Sequence, residues 1–283
     1  MNFKAYIKLA RLHRPVGIWL LLFPAWWGIA LARPVLPPAF LLFLFACGAV
    51  LMRSAGCVYN DMIDKNFDRR VRRTASRPLA AGKVSTKEAF GVLSFLLVGG
   101  ALILFSLPGS VILTGFVALA LVLFYPWMKR LTYWPQLFLG ITYNMGILMG
   151  WLSLEPQLTS VPFLFYGGAI LWTLGYDTIY ALQDREDDLF IGVKSSALAV
   201  SSAPKFFISS IYTMTLILWG LGGITAHLNG VYWSFLGMIA LLLGWQVLSL
   251  KENMPSNCQK RFESNASIGL LLFLGIVFSR VID

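Results

Sequence analysis

The sequence predicts an all-α, polytopic membrane protein: nine transmembrane helices around a central cavity, with the N-terminus cytoplasmic and the C-terminus outward. Three observations carry this expectation. Of 283 residues, 58% are hydrophobic and 13% charged, whereas soluble globular domains carry about 25% charged residues. Apolar runs of bilayer-spanning length, about 17–25 residues, recur along almost the whole chain. Finally, of 23 Lys and Arg, only Arg33 and Arg280 fall in segments that a nine-span chain would place outside, as the positive-inside rule requires.

Span 1, Val16–Ala32, follows a basic leader and opens on Pro15, a residue suited to a first helical turn. No small-residue cleavage site follows it, so it reads as a retained span and not a signal peptide. Span 2 is Pro38–Gly56. A long connection, Cys57 to Glu88, then carries most of the acidic and basic residues of the N-terminal half. Ala89–Leu107 and Val111–Trp127 are joined through S-L-P-G-S, and Gln136–Leu154 and Phe163–Ala181 through E-P-Q-L-T-S. A second charged connection runs from Leu182 to Lys205, and Phe206–His227, Tyr232–Leu250 and Ala266–Ile282 complete the set. Glycine pairs such as Gly99-Gly100 and Gly222-Gly223 suit close helix packing in lipid. The whole chain, 1–283, reads as one intramembrane domain.

The net charge of +10 is accounted for by topology and attraction to anionic lipid. No soluble module is left over to bind nucleic acid. Cys47, Cys57 and Cys258 show neither metal spacing nor a disulfide framework. His13 and His227 fall on opposite sides and cannot pair. No Walker loop or nucleophile–base–acid pattern is present.

Two acidic clusters point to chemistry. In N-D-M-I-D-K-N-F-D, Asn60, Asp64 and Asp68 stand at i, i+4 and i+8, with Asp61 one turn before Asp64. On a helix these share roughly one face, where stacked carboxylates repel unless a cation lies between them. A solvated acidic loop is the bland reading. Helical spacing, the amide of Asn60 and the following run Arg69, Arg70, Arg72, Arg73, Arg77 and Lys83 weigh against it. Magnesium held by carboxylates and substrate phosphate oxygens, with arginines completing neutralisation, is the usual solution for diphosphate chemistry.

The second cluster repeats the pattern, with Asp184 and Asp188 at i, i+4 and Asp177 seven residues before Asp184. Asp177 falls inside span 6. A charged residue there costs about 2.5–3.5 kcal/mol on insertion scales and marks a polar cavity. Asp187 and Glu186 point elsewhere on the wheel and read as solvated. Lys129 and Arg130 end span 4, where topology alone would place basic residues; the functional alternative is an anchor for an anionic second substrate. Arg14, before Pro15, is open to the same two readings.

These stretches resemble a known family. N-D-M-I-D-K-N-F-D with R-R-V-R-R-T-A-S-R-P-L-A-A-G, and Y-D-T-I-Y-A-L-Q-D-R-E-D-D-L-F-I-G-V-K-S, are similar to the two signatures of the UbiA superfamily of intramembrane aromatic prenyltransferases. R-P-V-G-I-W-L-L-L-F-P-A-W-W-G and Y-P-W-M-K-R-L-T-Y-W-P-Q-L-F-L-G resemble the branch that uses 4-hydroxybenzoate. The resemblance implies nine helices with a lateral opening to lipid and Mg2+ as cofactor. It implies polyprenyl diphosphate and 4-hydroxybenzoate as substrates, with Asn60, Asp61, Asp64, Asp68, Asp184 and Asp188 as the metal set. Arg73, Arg77 and Lys129 are then expected on the diphosphate, and Arg130 and Arg14 on the aromatic acid. Asp64, Asp177 and Asp184 are the expected catalytic residues, Asp177 orienting substrate or taking the ring proton.

Other acceptors of the superfamily (dihydroxynaphthoate, homogentisate, haem) stay open, as does a cation-coupled transporter that would use Asp177 and the acidic helix ends. Transporters place the charged site near the midplane, whereas most acids here gather at one face. A chain read as having no cleaved signal or transit peptide is expected in a bacterial inner membrane, with the active site facing the cytoplasm.

Overall fold

The protein, a computed structural model, is described over residues 3–33, 35–71 and 73–282. Arg72 of the predicted basic run lies outside the described residues. A short α1 (Phe3–Leu9) precedes α2 (Val16–Ala32), and α3 (Ala39–Ile63) runs directly toward the short α4 (Lys65–Asp68). Then come α5 (Thr86–Phe105), α6 (Gly109–Leu131), the broken pair α7 (Pro135–Tyr143) and α8 (Met145–Leu152), and α9 (Ser160–Ala181). A 3-10 turn, Leu182–Asp184, leads into α10 (Arg185–Ile191) and α11 (Ser196–Ala199). The chain closes with α12 (Pro204–Thr225), α13 (Gly230–Leu248), α14 (Pro255–Glu263) and α15 (Asn265–Val281).

All secondary structure among the described residues is helical. Among the described residues, six apolar helical stretches are long enough to cross a bilayer: α3, α5, α6, α12, α13 and the run Pro255–Val281. The remaining expected spans correspond to the shorter α2, the α7–α8 pair and α9. The span expected over Gln136–Leu154 is not one helix. It breaks at Asn144, whose buried side-chain amide donates to Gly140 O of α7 and to Ala169 O and Thr173 Oγ1, the last two tying the break to α9.

Two halves differ in packing. In one, α2 and α8 touch backbone to backbone: a Cβ on Gly28 would lie 2.1 Å from Ile147 O, and one on Gly150 2.2 Å from Ala25 O. Small residues permit that approach where lipid offers no hydrophobic drive between helices. Trp27, Trp172 and Trp219 meet with ring centroids 5.5–5.8 Å apart, joining α2, α9 and α12. Each indole N–H has an acceptor: Gly269 O, Asn265 Oδ1 and Phe165 O. A buried indole without one would forfeit a hydrogen bond in an apolar interior. The other half, α3, α5 and α6, is open, with Phe95, Leu102 and Leu113 exposed as befits a lipid-facing surface.

The connection between α3 and α5 is a packed structure. Leu79 and Val84 are buried with Ala55 and Val58 of α3 and with Ala5 and Leu9 of α1. Thr74 Oγ1 donates to Asp68 O at 2.9 Å, and Arg69 Nε to Ala80 O at 3.0 Å. Ser85 caps α5 in a reciprocal box with Glu88. This is what fixes the arginines of the loop over the ends of α3 and α9.

Candidate functional site

A cavity of about 850 Å³ runs between the two halves. Its polar end is walled by Arg14, Asn60, Asp61, Arg73, Arg77 and Asp177, and its apolar end by Leu44, Gly48, Leu104, Leu107 and Leu119. Phe105 and Phe116 also line it and are themselves exposed, so the apolar end opens on the lipid-facing surface.

The acids do not lie on two uninterrupted helices. Asp64 ends α3 with φ −94°, ψ 5°, and Asp184 ends the 3-10 turn with φ −106°, ψ 4°. Both occupy the sparsely populated bridge region, where active-site residues recur. The expected single helical face therefore becomes, in each cluster, a helix end with a turn.

Four cations hold the first cluster. Asp61 Oδ1 accepts from Arg11 at 2.9 Å and from Arg77 at 3.0 Å, and Arg77 also donates to Asp68 Oδ2 at 2.7 Å. Lys129 donates to Asp64 Oδ2, and Arg130 lies 3.7 Å from Asp64 Oδ1. The second cluster has one among the described residues: Arg73 donates from Nε to Asp184 Oδ1 at 2.8 Å and from Nη2 to Oδ2 at 2.5 Å. Its Nη1 reaches Tyr180 Oη at 2.9 Å. Since Arg73 belongs to the loop after the first cluster, this bidentate pair joins the two acidic helix ends across the mouth of the cavity. The same face is tied to α6, because Lys194 N donates to Lys129 O at 2.9 Å.

Asp188, on α10 outside the apolar spans, has its carboxyl pushed up to about 6 by burial and by the charge of Asp184. Asp64, just beyond α3, is also raised, by burial first, against the pull of Lys129. Among the described residues no three acids or histidines converge into a ready-made metal cage. The donor set nonetheless fits a hard cation. Asp64 Oδ1 is buried without a hydrogen-bond partner, and a second positive charge with oxygen preference is what such an atom lacks.

Six predicted site residues, Asp64, Asp68, Asp184, Asp188, Lys129 and Arg130, do not line the cavity, whereas Arg14, Asn60, Asp61, Arg73, Arg77 and Asp177 do. Arg130 stacks over Phe67 at 5.0 Å and Trp127 at 4.8 Å beside Asp64. Glu186 is exposed, as expected. Two others were missed. Arg53, in the middle of α3, lines the cavity with its guanidinium 5.5 Å from the Tyr143 ring, without an ion pair among the described residues. Gly17 makes room for it, since a Cβ there would sit 2.4 Å from Arg53 Nε. A lone arginine inside an apolar run was the available signal. Arg11, on the cavity wall against Asp61, had no such signal, being one of several leader cations.

Asp177 lines the cavity near Arg53, and no hydrogen bond or ion pair holds its side chain among the described residues. The arrangement is a cationic, acid-lined head, a deeper chamber holding Arg53, Tyr143 and Asp177, and an apolar shaft open to lipid.

The family model described as UbiA prenyltransferase family matches residues 21–276. A mitochondrial 4-hydroxybenzoate polyprenyltransferase of Caenorhabditis elegans is 44% identical over 99% of this chain and 80% of its own length. The 4-hydroxybenzoate octaprenyltransferase of Pseudomonas aeruginosa (strain UCBPP-PA14) is 41% identical over 96% of this chain and 92% of its own. Among solved structures, the apo UbiA homolog from Aeropyrum pernix K1 superposes with TM-score 0.80 and 26% identity over 92% of this chain and 96% of that one. A UbiA homolog from Archaeoglobus fulgidus bound to GPP and Mg2+ shares the fold, with TM-score 0.68 at 16% identity over 96% and 99% of the two chains.

Proposed function

Because this chain belongs to the UbiA prenyltransferase family, we propose that it transfers a polyprenyl group from polyprenyl diphosphate to 4-hydroxybenzoate. The bond forms at the ring carbon ortho to the hydroxyl, an early membrane step of ubiquinone biosynthesis. The full-length relatives named for this reaction support the acceptor. The observation that supports the reading is the Arg73–Asp184 pair, which ties the second acidic helix end to an arginine lining the polar head of the same cavity as Asn60 and Asp61.

Diphosphate leaves only when its growing negative charge is met. Arg73, Arg77 and Lys129 supply fixed positive charge at the head. Oxygens of Asn60, Asp64, Asp68, Asp184 and Asp188, with Asp61 beside them, would hold Mg2+, which supplies Lewis-acid neutralisation of the departing diphosphate. The tail lies in the shaft past Gly48 and Leu104 and leaves toward lipid at Phe105 and Phe116. We assign the acceptor carboxylate to Arg53 rather than Arg130, because Arg53 lines the cavity and Arg130 does not, and Arg14 to steering at the mouth. The rings of Tyr125, Tyr143 and Tyr180 wall the chamber, offering π faces to an allylic cation while water is excluded. Asp177 stands where it can accept the ring proton.

We read the chain as one intramembrane domain, 1–283, crossing a bacterial inner membrane nine times with its site at the cytoplasmic face. The one-sided placement of Lys and Arg supports that orientation. Labelling of single cysteines introduced at Ser110 and Ser202 from either side of sealed vesicles tests it; reaction of both from one side would refute it. The function is tested by offering purified protein one prenyl diphosphate and several ring acids. Preferred use of dihydroxynaphthoate over 4-hydroxybenzoate would overturn the acceptor. Arg53→Ala is expected to raise KM for the acceptor about 10- to 100-fold, with KM for the prenyl diphosphate unchanged.

A further inference from the structure

Asp61 is the one carboxylate among the described residues clasped by two arginines from separate segments, Arg11 before α2 and Arg77 in the loop after α4. Its side chain is 2% exposed, and Arg11 reaches both of its oxygens, at 2.9 and 3.2 Å. All three residues line the polar head of the cavity.

We propose that Asp61 is a positioning residue that holds Arg11 and Arg77 against the diphosphate, and that Arg11 makes the N-terminal segment part of the diphosphate pocket. This rests on the transfer reading above.

Three features support it. Two guanidinium groups directed at one anion repel each other when that anion is absent, and an acid between them keeps both in place. Arg11 also adopts φ 57°, a left-handed backbone that costs a side-chain-bearing residue and persists where the surroundings enforce it. Its Nε is buried with no acceptor, so its donors are not used up by Asp61. An anionic oxygen in the cavity would supply what is missing. Lastly, the segment is built in. Ala5 and Leu9 are buried against α3 and the 69–85 loop, and Tyr6 Oη donates at 2.8 Å to Oε1 of Glu88, the residue that completes the capping box of α5. A segment anchored this way presents Arg11 at a defined place.

The alternative is that Asp61 is a sixth magnesium-binding residue. Binding of a non-ionising prenyl thiodiphosphate, measured by calorimetry at saturating Mg2+, separates the two when combined with a Mg2+ titration of that binding. Asp61→Asn is expected to weaken the thiodiphosphate about 10- to 100-fold while leaving Mg2+ half-saturation within about twofold of wild type. Arg11→Ala should lose a similar factor, Arg11→Lys should recover part of it, and the double variant should be no worse than the single ones, as for coupled groups. A shift of Mg2+ half-saturation by about tenfold or more in Asp61→Asn, with losses that add to those of Arg11→Ala, would overturn the assignment in favour of a metal ligand. Wild-type binding by Arg11→Ala would overturn the role of the N-terminal segment, and that variant decides the matter even if Asp61→Asn does not fold. Failure of the wild-type protein to bind the thiodiphosphate would instead overturn the transfer reading.

Discussion

The two acidic clusters are alike in backbone and unlike in surroundings. Asp64 and Asp184 both end a helical segment in nearly the same bridge conformation. Around Asp61, Asp64 and Asp68, however, four cations from three separate segments converge, whereas among the described residues Asp184 pairs with Arg73 alone. The first cluster is the more enclosed, with the Asp61 and Asp64 side chains 2% exposed against 15% for Asp184. Carboxylates clamped by fixed charges need little reorganisation when substrate arrives, which is the condition for strong electrostatic stabilisation. The second cluster, on a turn and a short helix, is held by fewer fixed charges among the described residues.

Substitutions can break this asymmetry. Asp64→Asn removes a buried acid whose Oδ1 accepts no hydrogen bond and leaves Lys129 without its carboxylate. Transfer of a labelled prenyl group is expected to fall about 1000-fold or more. Asp184→Asn should cost less, about 100-fold, and equal losses in the two variants would show that the clusters are functionally equivalent. Helical content by circular dichroism should be unchanged in both.

Arg73→Ala tests whether the second cluster depends on the first for its place. Amide exchange over residues 182–195 should quicken about tenfold or more as the bidentate tether is lost, with residues 60–68 unaffected and turnover reduced. Quickened exchange at both clusters would mean that Arg73 supports the whole face. Arg130→Ala should have the smallest effect. An exposed cation 3.7 Å from its partner and stacked on Phe67 contributes little, so turnover should drop less than about fivefold, with KM for 4-hydroxybenzoate unchanged. A selective rise in that KM would return the acceptor carboxylate to Arg130.

Much of this was readable before any fold was known. The apolar runs, the one-sided cations and the spaced acids each reflect a local cost: polar backbone in lipid, charge across a bilayer, carboxylates stacked on a helix. Asn60, Asp61, Arg73, Arg77 and Asp177 were named from such costs and from likeness, and all five line one cavity. Arg53 was legible in principle, because a lone arginine in an apolar helix needs a polar place to face. Arg11 was not, since nothing in a run of leader cations distinguishes the one that crosses to Asp61.

The chain on its own determined that helices span a bilayer and that two groups of acids gather with arginines at one face. Those properties are set by residues close in sequence. Only the tertiary structure decided that the face closes on itself through Arg73 and Asp184, 111 positions apart, and that each acidic run turns instead of continuing as a helix. It alone decided, too, that Arg53 and not Arg130 stands in the cavity. Such outcomes depend on which distant side chains compete for one carboxylate or one opening, and that competition exists only once the helices have packed.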